Sequence, residues 1–469
     1  MSEILKRAFN TNVFRSQGHE LIDMLADLLD SNQQGEGKVS NPTTPSEQLE
    51  FWRKYNIDSP LGFYDDLIKD SIKLYHPKYI GHQVSAPAPE AVLAGLVSDF
   101  LNNGMGVFEM GTAATAIEKV VIEIFCKKVG YSSDSDGFLT SGGTLANLTA
   151  LLAARNHSQQ QHPDKKRFIL VSEQAHYCID RAAATMGLAT SQVIKVKTKE
   201  DFSMSIDHLS ELLPIYNTGS NSILAIVASA CSTATGSYDD VKRISHLCQK
   251  HNIWLHVDGA HGGAALWSKS YEHLMNGAEL ADSIIIDAHK MMLVPALTTA
   301  VLFRDGRTSY RTFQQAASYL FEKDEDEWHN LAKRTYETTK YMMSIKIFLL
   351  LRYYGDTLID SFVTRQYDLT RQFAGYLHSR KDFEIGHKPM SNILCFRYLE
   401  AGRSNEVLNT LNAQIRKSIW EDGTFYIVQT QLNEIQYLRI TIMNPHTTME
   451  ELKSLVQHIL DKVTIIRLA

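Results

Sequence analysis

The octapeptide Ser283-Ile-Ile-Ile-Asp-Ala-His-Lys290 sets the frame for this chain. A run of β-branched apolar residues without alternation suits a strand buried on both faces, at the centre of a parallel sheet. The run passes straight into Asp287, His289 and Lys290, and the carboxyl ends of such strands are where open α/β sheets collect ligands. A charged cap on an ordinary strand end would use the same residue types. A lysine there, beside a histidine and three residues after an acid, also fits an amine that forms a Schiff base with a carbonyl group. The neighbouring strands decide between the two.

Working outward, strand-like runs alternate with helical ones: Arg167–Ser172, Val193–Val196, Ile223–Ala230, Ile253–Val257, Ile284–Ile286 and Ala300–Phe303, with amphipathic stretches such as Asp239–Lys250 between them. That alternation predicts a doubly wound α/β domain with a mainly parallel sheet. From about Lys340 the character changes. A helical stretch, Ser344–Tyr354, leads to strand candidates Ile393–Tyr398, Tyr426–Gln429 and Tyr437–Ile442, then to an amphipathic helix, Met449–Lys462. These predict a small C-terminal α+β domain. At the other end, Leu21, Met24, Leu25, Leu28 and Leu29 recur at helical spacing and predict a helix over 13–31. A polar connection, Gln33 to Pro45, and further helical pattern from Ser46 to about Leu74 follow. These opening residues build no obvious core of their own and are expected to pack on a partner subunit. The expected division is an N-terminal helical segment, 1–74, a large domain, 75–340, and a small domain, 341–469.

Composition narrows the function classes. The 469 residues are 44% hydrophobic and 21% charged, with a net charge of -6, which is ordinary for a soluble globular protein. No basic block offers a nucleic-acid footprint, and no apolar run reaches the ~18 residues of a membrane span. Five scattered cysteines, Cys126, Cys178, Cys231, Cys248 and Cys395, lack a CxxC pair and fit a reducing compartment. The opening Met-Ser-Glu-Ile-Leu-Lys-Arg has no apolar core followed by a cleavage site. The expectation is a cytoplasmic protein that binds neither nucleic acid nor membrane.

Four further strand ends carry chemistry. Gly137-Phe-Leu-Thr-Ser141-Gly142-Gly143-Thr144 opens a helical run with free backbone N–H groups and hydroxyls, a combination suited to a phosphate, although a plain helix cap reads the same. Ser172-Glu-Gln-Ala-His176 places a histidine where it could stack on a flat ring and move protons. Ser229-Ala-Cys231-Ser232-Thr233 offers a hydroxyl to ring substituents. His256-Val-Asp258-Gly-Ala260-His261 offers a carboxylate to a protonated ring nitrogen and, at Ala260, room for the ring. The last motif, with His289, also has the letters of a metal site. That reading leaves Lys290 and the glycine turn without a task, and a lysine beside a cation is disfavoured, so no metal is expected. A phosphate cradle, a ring stacker, a pyridinium partner and an imine-forming lysine together describe a pocket for pyridoxal 5'-phosphate.

Thr140-Ser-Gly-Gly-Thr144, Ala175-His176, His256-Val-Asp258-Gly-Ala260 and Asp287-Ala-His289-Lys290, in that order, resemble the group II pyridoxal-phosphate-dependent amino-acid decarboxylases, which include glutamate, cysteine-sulfinate, aromatic-amino-acid and diaminobutyrate decarboxylases. The resemblance runs from about Leu21 to the C-terminal helix. It implies the fold type I, aspartate-aminotransferase-like architecture of PLP-dependent transferases and a homodimer with active sites at the subunit interface. It also implies Lys290 as the Schiff-base lysine, Asp258 as partner of the pyridine nitrogen and His176 as ring stacker. Gly143, Thr144 and His289 would contact phosphate with Asp287 nearby, and Thr233 and Ala260 would line the ring. Ser318-Tyr319-Leu320-Phe321 resembles a loop of the glutamate and cysteine-sulfinate enzymes, which makes Tyr319 the expected proton donor. Arg439 matches an arginine that can receive a substrate carboxylate, and His82 and Gln83 lie in the segment resembling the wall around the substrate side chain. Two departures stand out: Cys231 where relatives often have glycine, and Gly259 where many have alanine.

The implied reaction is α-decarboxylation of an L-amino acid to an amine and carbon dioxide, with a polar or acidic substrate favoured over an aromatic one. An aminotransferase or an aldehyde-forming oxidative decarboxylase on the same cofactor, and a non-catalytic scaffold that kept the fold, remain the alternatives.

Overall fold

The computed structural model describes residues 1–313 and 328–468. The loop around Tyr319 lies outside the described residues. The chain forms two compact units, each discontinuous in sequence. One comprises Gln83–Ala374 and His387–Leu394, and the other Met1–His82, Gly375–Gly386 and Cys395–Ala469.

The first unit is built on seven strands: β1 (Asp136–Thr140), β2 (Lys166–Ser172), β3 (Val193–Val196), β4 (Asn221–Ser229), β5 (Trp254–Asp258), β6 (Ser283–Asp287) and β7 (Thr299–Phe303). Their order is β1-β7-β6-β5-β4-β2-β3. Strands β2 to β6 pair in parallel, and all residues of β1, β5, β6 and β7 are buried. This is the mostly parallel α/β sheet of fold type I, and it explains why β6 reads as an unbroken apolar run. Strand β7 departs from the simple alternation expected of it, because it runs antiparallel to both β6 and β1. The connection from Ala288 to Thr298 holds only the short helix Ala288–Met291, too little for the crossover a parallel neighbour needs.

One consequence positions the site. The carboxyl ends of β2, β4, β5 and β6, at Ser172, Ser229, Asp258 and Asp287, share one edge of the sheet. Since β7 runs the other way, its first residue, Thr299, pairs with both Asp287 and Thr140 at that edge. The turn after β1 therefore comes to the same place. Leu151, Ile179, Leu224, Ile285 and Val301 are among the residues of the core packed against the sheet.

Four further strands, β8 (Phe383–Ile385), β9 (Ile393–Tyr398), β10 (Val428–Leu432) and β11 (Ile435–Thr441), form a sheet in the order β10-β11-β9-β8, and all but Ile393 and Leu394 belong to the second unit. The helices Asn405–Asp422 and Met449–Leu468 accompany them. Its N-terminal part holds the helix Thr11–Gln33, capped by Asn10, whose Oδ1 accepts from the Asn12 and Val13 N–H groups at 2.9 and 3.1 Å. The helical pattern after Ser46 forms two helices, Pro45–Lys54 and Pro60–Lys69. Pro60 is tolerated at the first turn of the second but would break a continuous helix.

Candidate active site

A cavity of about 500 Å³ opens at the shared edge of strand ends. Gly143, Thr144, His176, Thr233, Asp258, Ala260, Asp287, His289 and Lys290 all line it. They come from five different strand ends: β2, β4, β5 and β6 are parallel neighbours, and β1, beyond the antiparallel β7, points the same way.

Lys290 sits in the short helix after β6, with its Nζ 3.0 Å from Asp287 Oδ2 and its side chain only 20% exposed. The other Asp287 oxygen accepts from Thr299 Oγ1 at 2.6 Å. Burial alone would depress the Lys290 ammonium, but Asp287 and Asp258 outweigh it and hold its pKa above the ordinary lysine value. His289 Nδ1 lies 2.9 Å from the Thr298 carbonyl oxygen and 3.1 Å from the Thr298 N–H. That contact fixes the ring, with Nε2 3.6 Å from Asp287 Oδ2.

The turn after β1 opens the helix Gly143–Gln161 against the cavity. No side chain caps this helix, so the N–H groups of its first turn and the Thr144 hydroxyl are available to an anion. Gly142 has φ 133° and ψ 161°, a conformation essentially reserved to glycine. A Cβ on Gly143 would lie 3.1 Å from each oxygen of the Asp287 carboxylate. Ser141 Oγ donates to Glu337 Oε1 at 2.7 Å, a partner that nothing in the sequence pattern marks.

Asp258 ends β5 and is buried. Its Oδ1 accepts from the Ala260 N–H at 3.2 Å and its Oδ2 from Asn147 Nδ2 at 3.2 Å. Asn147, one helical turn after the glycine turn, also lines the cavity, and sequence reasoning missed it. An asparagine inside an amphipathic helix carries no signal until its neighbour on another element is known. Gly259 has a steric reason: a Cβ there would come within 2.7 Å of the Ile285 carbonyl oxygen. Half-buried His176 accepts the Cys178 N–H at Nδ1, 3.3 Å away. Its ring proton therefore sits on Nε2, and burial first of all keeps its pKa below the usual histidine value.

His82, Gln83 and Arg439 do not line this cavity. His82 and Arg439 belong to the second unit, and Gln83 begins the first. In the second unit His82 lies 5.8 Å from the Tyr426 ring. Burial, then Arg439 and Arg416, hold its pKa down. His261 also lines the cavity, with Nε2 2.7 Å from Asn392 Oδ1, while His256 lies behind it with Nε2 2.7 Å from Asn147 Oδ1. Among the described residues no group of three or more His, Cys, Asp or Glu side chains is placed to hold a metal. No described helix is long and apolar enough to cross a membrane.

A parallel α/β sheet that presents an amine, two carboxylates and an uncapped helix start at one edge defines a lysine-centred cofactor enzyme. Residues 56–399 match the model of the pyridoxal-dependent decarboxylase conserved domain, and the chain belongs to that family. It is 27% identical over 415 residues to the L-2,4-diaminobutyrate decarboxylase of Acinetobacter baumannii, covering 84% of this chain and 81% of the relative. It is 26% identical to the aromatic-L-amino-acid decarboxylase of Bacillus atrophaeus, covering 98% and 97%. The glutamate decarboxylase domain of a diaminobutyrate-pyruvate transaminase and L-2,4-diaminobutyrate decarboxylase from Vibrio parahaemolyticus superposes with a TM-score of 0.83 at 25% identity, over 95% of each chain. The protein is thus a pyridoxal-phosphate-dependent amino-acid decarboxylase, a carboxy-lyase.

The residues present fit that cofactor. The uncapped start of the helix Gly143–Gln161 and the bare Cα of Gly143 leave a cradle for a phosphate. Asp258 would offer a buried carboxylate to a ring nitrogen, and Lys290 an amine within the same cavity.

Proposed function

We propose that the cavity at the strand ends carries out α-decarboxylation of a polar or acidic L-amino acid, giving the amine and carbon dioxide. Lys290 would attach the cofactor, and Gly143, Thr144 and His289 would hold its phosphate with Asp287 nearby. Asp258 would keep the ring nitrogen protonated, His176 would stack on the ring, and Thr233 and Ala260 would line it. Bound there, pyridoxal 5'-phosphate supplies the sink for the electron pair released with carbon dioxide. His176, whose proton sits on Nε2, would also take part in proton transfer. The Tyr319 hydroxyl would donate the proton to the α-carbon. The observation that carries this reading is Lys290 Nζ at 3.0 Å from Asp287 in a cavity that Asp258 and the glycine turn also line.

The substrate preference rests on charge. Arg439 is buried, and burial lowers its pKa. With Arg416 it places two guanidinium groups about His82, and the Nε of Arg416 is buried with no hydrogen-bond partner among the described residues. Such a cluster suits a carboxylate on the substrate, and arginine suits it better than lysine would. In the first unit, Gln83 has its Nε2 buried without a hydrogen-bond partner among the described residues and offers a polar donor of its own.

A homodimer belongs to the same proposal, with residues 1–74 embracing the partner. The helix Pro89–Leu101 exposes Val92, Leu93, Leu96, Val97 and Phe100, and the N-terminal segment exposes Ile4, Leu5, Phe9, Val13 and Phe14. Apolar faces of this extent call for cover, and a second copy supplies it. A cytoplasmic location fits the five free, buried cysteines. Amine and carbon dioxide release across a panel of L-amino acids tests the activity. Keto acid or aldehyde as the main product would overturn it, and tryptophan or tyrosine as the best substrate by kcat/KM would overturn the preference. A monodisperse monomer in sedimentation would overturn the dimer.

A further inference from the structure

The motif around Asp258 contains a histidine that the reaction leaves without a task. His256 is fully buried and does not line the cavity. Its ring joins three elements. Nδ1 lies 2.9 Å from Ser283 Oγ at the start of β6, and Nε2 lies 2.7 Å from Asn147 Oδ1. Trp254 Nε1 donates to the same Ser283 Oγ at 2.9 Å. Asn147 Nδ2 reaches Asp258 Oδ2 and Cys178 Sγ, each at 3.2 Å.

A proton inventory gives every one of these bonds a direction. A carboxylate only accepts, so Asn147 turns Nδ2 to Asp258 and Oδ1 to His256, whose Nε2 therefore carries a proton and donates. Burial holds the imidazole neutral, so Nδ1 accepts from Ser283 Oγ, which in turn accepts from the Trp254 indole N–H. The Asn147 amide keeps two protons, one for Cys178 and one for Asp258. Turning that amide over would set donor against donor at His256 and oxygen against carboxylate at Asp258. Bonds aligned in series polarise one another in a dry interior, and this series ends on the carboxylate.

We propose that Asn147 and His256 are positioning residues: the chain Trp254–Ser283–His256–Asn147 locks the Asp258 carboxylate in one orientation, which sets how firmly the cofactor's ring nitrogen stays protonated. This rests on the reading that Asp258 meets that nitrogen. A network that merely satisfied buried polar groups would be indifferent to its direction and would leave the nitrogen unchanged.

The apoprotein labelled with 15N-histidine, its His256 signal assigned by loss in His256→Gln, should show the neutral Nε2–H form from roughly pH 5 to 8. An Nδ1–H form or an imidazolium there would overturn the proposal without any destabilising substitution. The holoprotein reconstituted with ring-15N pyridoxal phosphate should show a protonated nitrogen in the wild type. In Asn147→Leu and His256→Leu that signal should move toward the unprotonated shift, with cofactor affinity by equilibrium dialysis down about tenfold. His256→Gln, whose amide N–H can replace Nε2–H, should restore most of both readouts. Asp258→Ala separates the two levels. If that variant keeps a protonated nitrogen, the assignment of Asp258 itself fails. If it loses the proton while Asn147→Leu and His256→Leu match the wild type, only the positioning proposal fails.

Discussion

Lys290 Nζ lies 3.0 Å from Asp287 Oδ2, while Thr299 Oγ1 holds the other oxygen of that carboxylate at 2.6 Å. The amine is thus kept charged by a neighbour that is itself held rigid from the first residue of an antiparallel strand. An ammonium cannot attack a carbonyl carbon, so cofactor attachment has to wait for its deprotonation. Asp287→Asn removes the main charge that raises the Lys290 pKa. The pH midpoint for cofactor attachment, followed by absorbance on mixing apoprotein with pyridoxal phosphate, should fall by roughly one unit or more. An unchanged midpoint would mean that Asp287 does not govern the amine.

The glycine turn makes a second prediction. Gly142→Ala forces a side chain into φ 133° and should cost roughly 1–3 kcal/mol of stability in urea unfolding. Gly143→Ala faces no such strain but pushes a methyl to 3.1 Å from Asp287. Its effect should fall on cofactor affinity, about tenfold by equilibrium dialysis, with the melting temperature little changed.

Lys340 and Glu118 form an ion pair with side chains 0% and 2% exposed, and Glu118 Oε1 also accepts the Leu139 N–H at 2.9 Å. Lys340→Met strands a buried carboxylate and should destabilise the protein by about 3–5 kcal/mol. The double substitution Lys340→Met, Glu118→Leu should recover much of that loss. Since Leu139 stands two residues before Ser141, the single variant should also weaken cofactor binding.

Burial pushes the His256 imidazole from 6.5 down to about 4. A histidine depressed by folding contributes its stability in full above its unfolded pKa and loses it as pH falls toward the folded value. Between pH 6.5 and 4 the apoprotein should therefore lose stability on this account, by about 3 kcal/mol. Urea unfolding of His256→Gln over the same range should lack that component.

The large unit was legible in the sequence because its strands announce themselves. A strand buried on both faces has no polar alternation, so Ser283–Asp287 and Asn221–Ser229 stand out, and chemistry-bearing residues follow at their ends. What periodicity does not carry is direction and partnership. Thr299–Phe303 reads as one more strand, yet it runs antiparallel and brings Thr299 to Asp287. Strand Asp136–Thr140 is legible only through the turn it leads into, being short and starting with Asp-Gly. Asn147, His256 and Glu337 act through side chains far away in sequence, across 109 residues in the first pair, and such pairings leave no local mark. Of the residues expected around the reaction, Tyr319 lies outside the described residues, and His82 and Arg439 lie in the other unit.

The central claim is a covalent one, made by a single nitrogen. Borohydride reduction of the holoprotein, followed by proteolysis and mass mapping, should place one pyridoxyl group on Lys290, with none recovered from Lys290→Ala. A label on any other lysine, or no label in protein that binds the cofactor, would contradict this account.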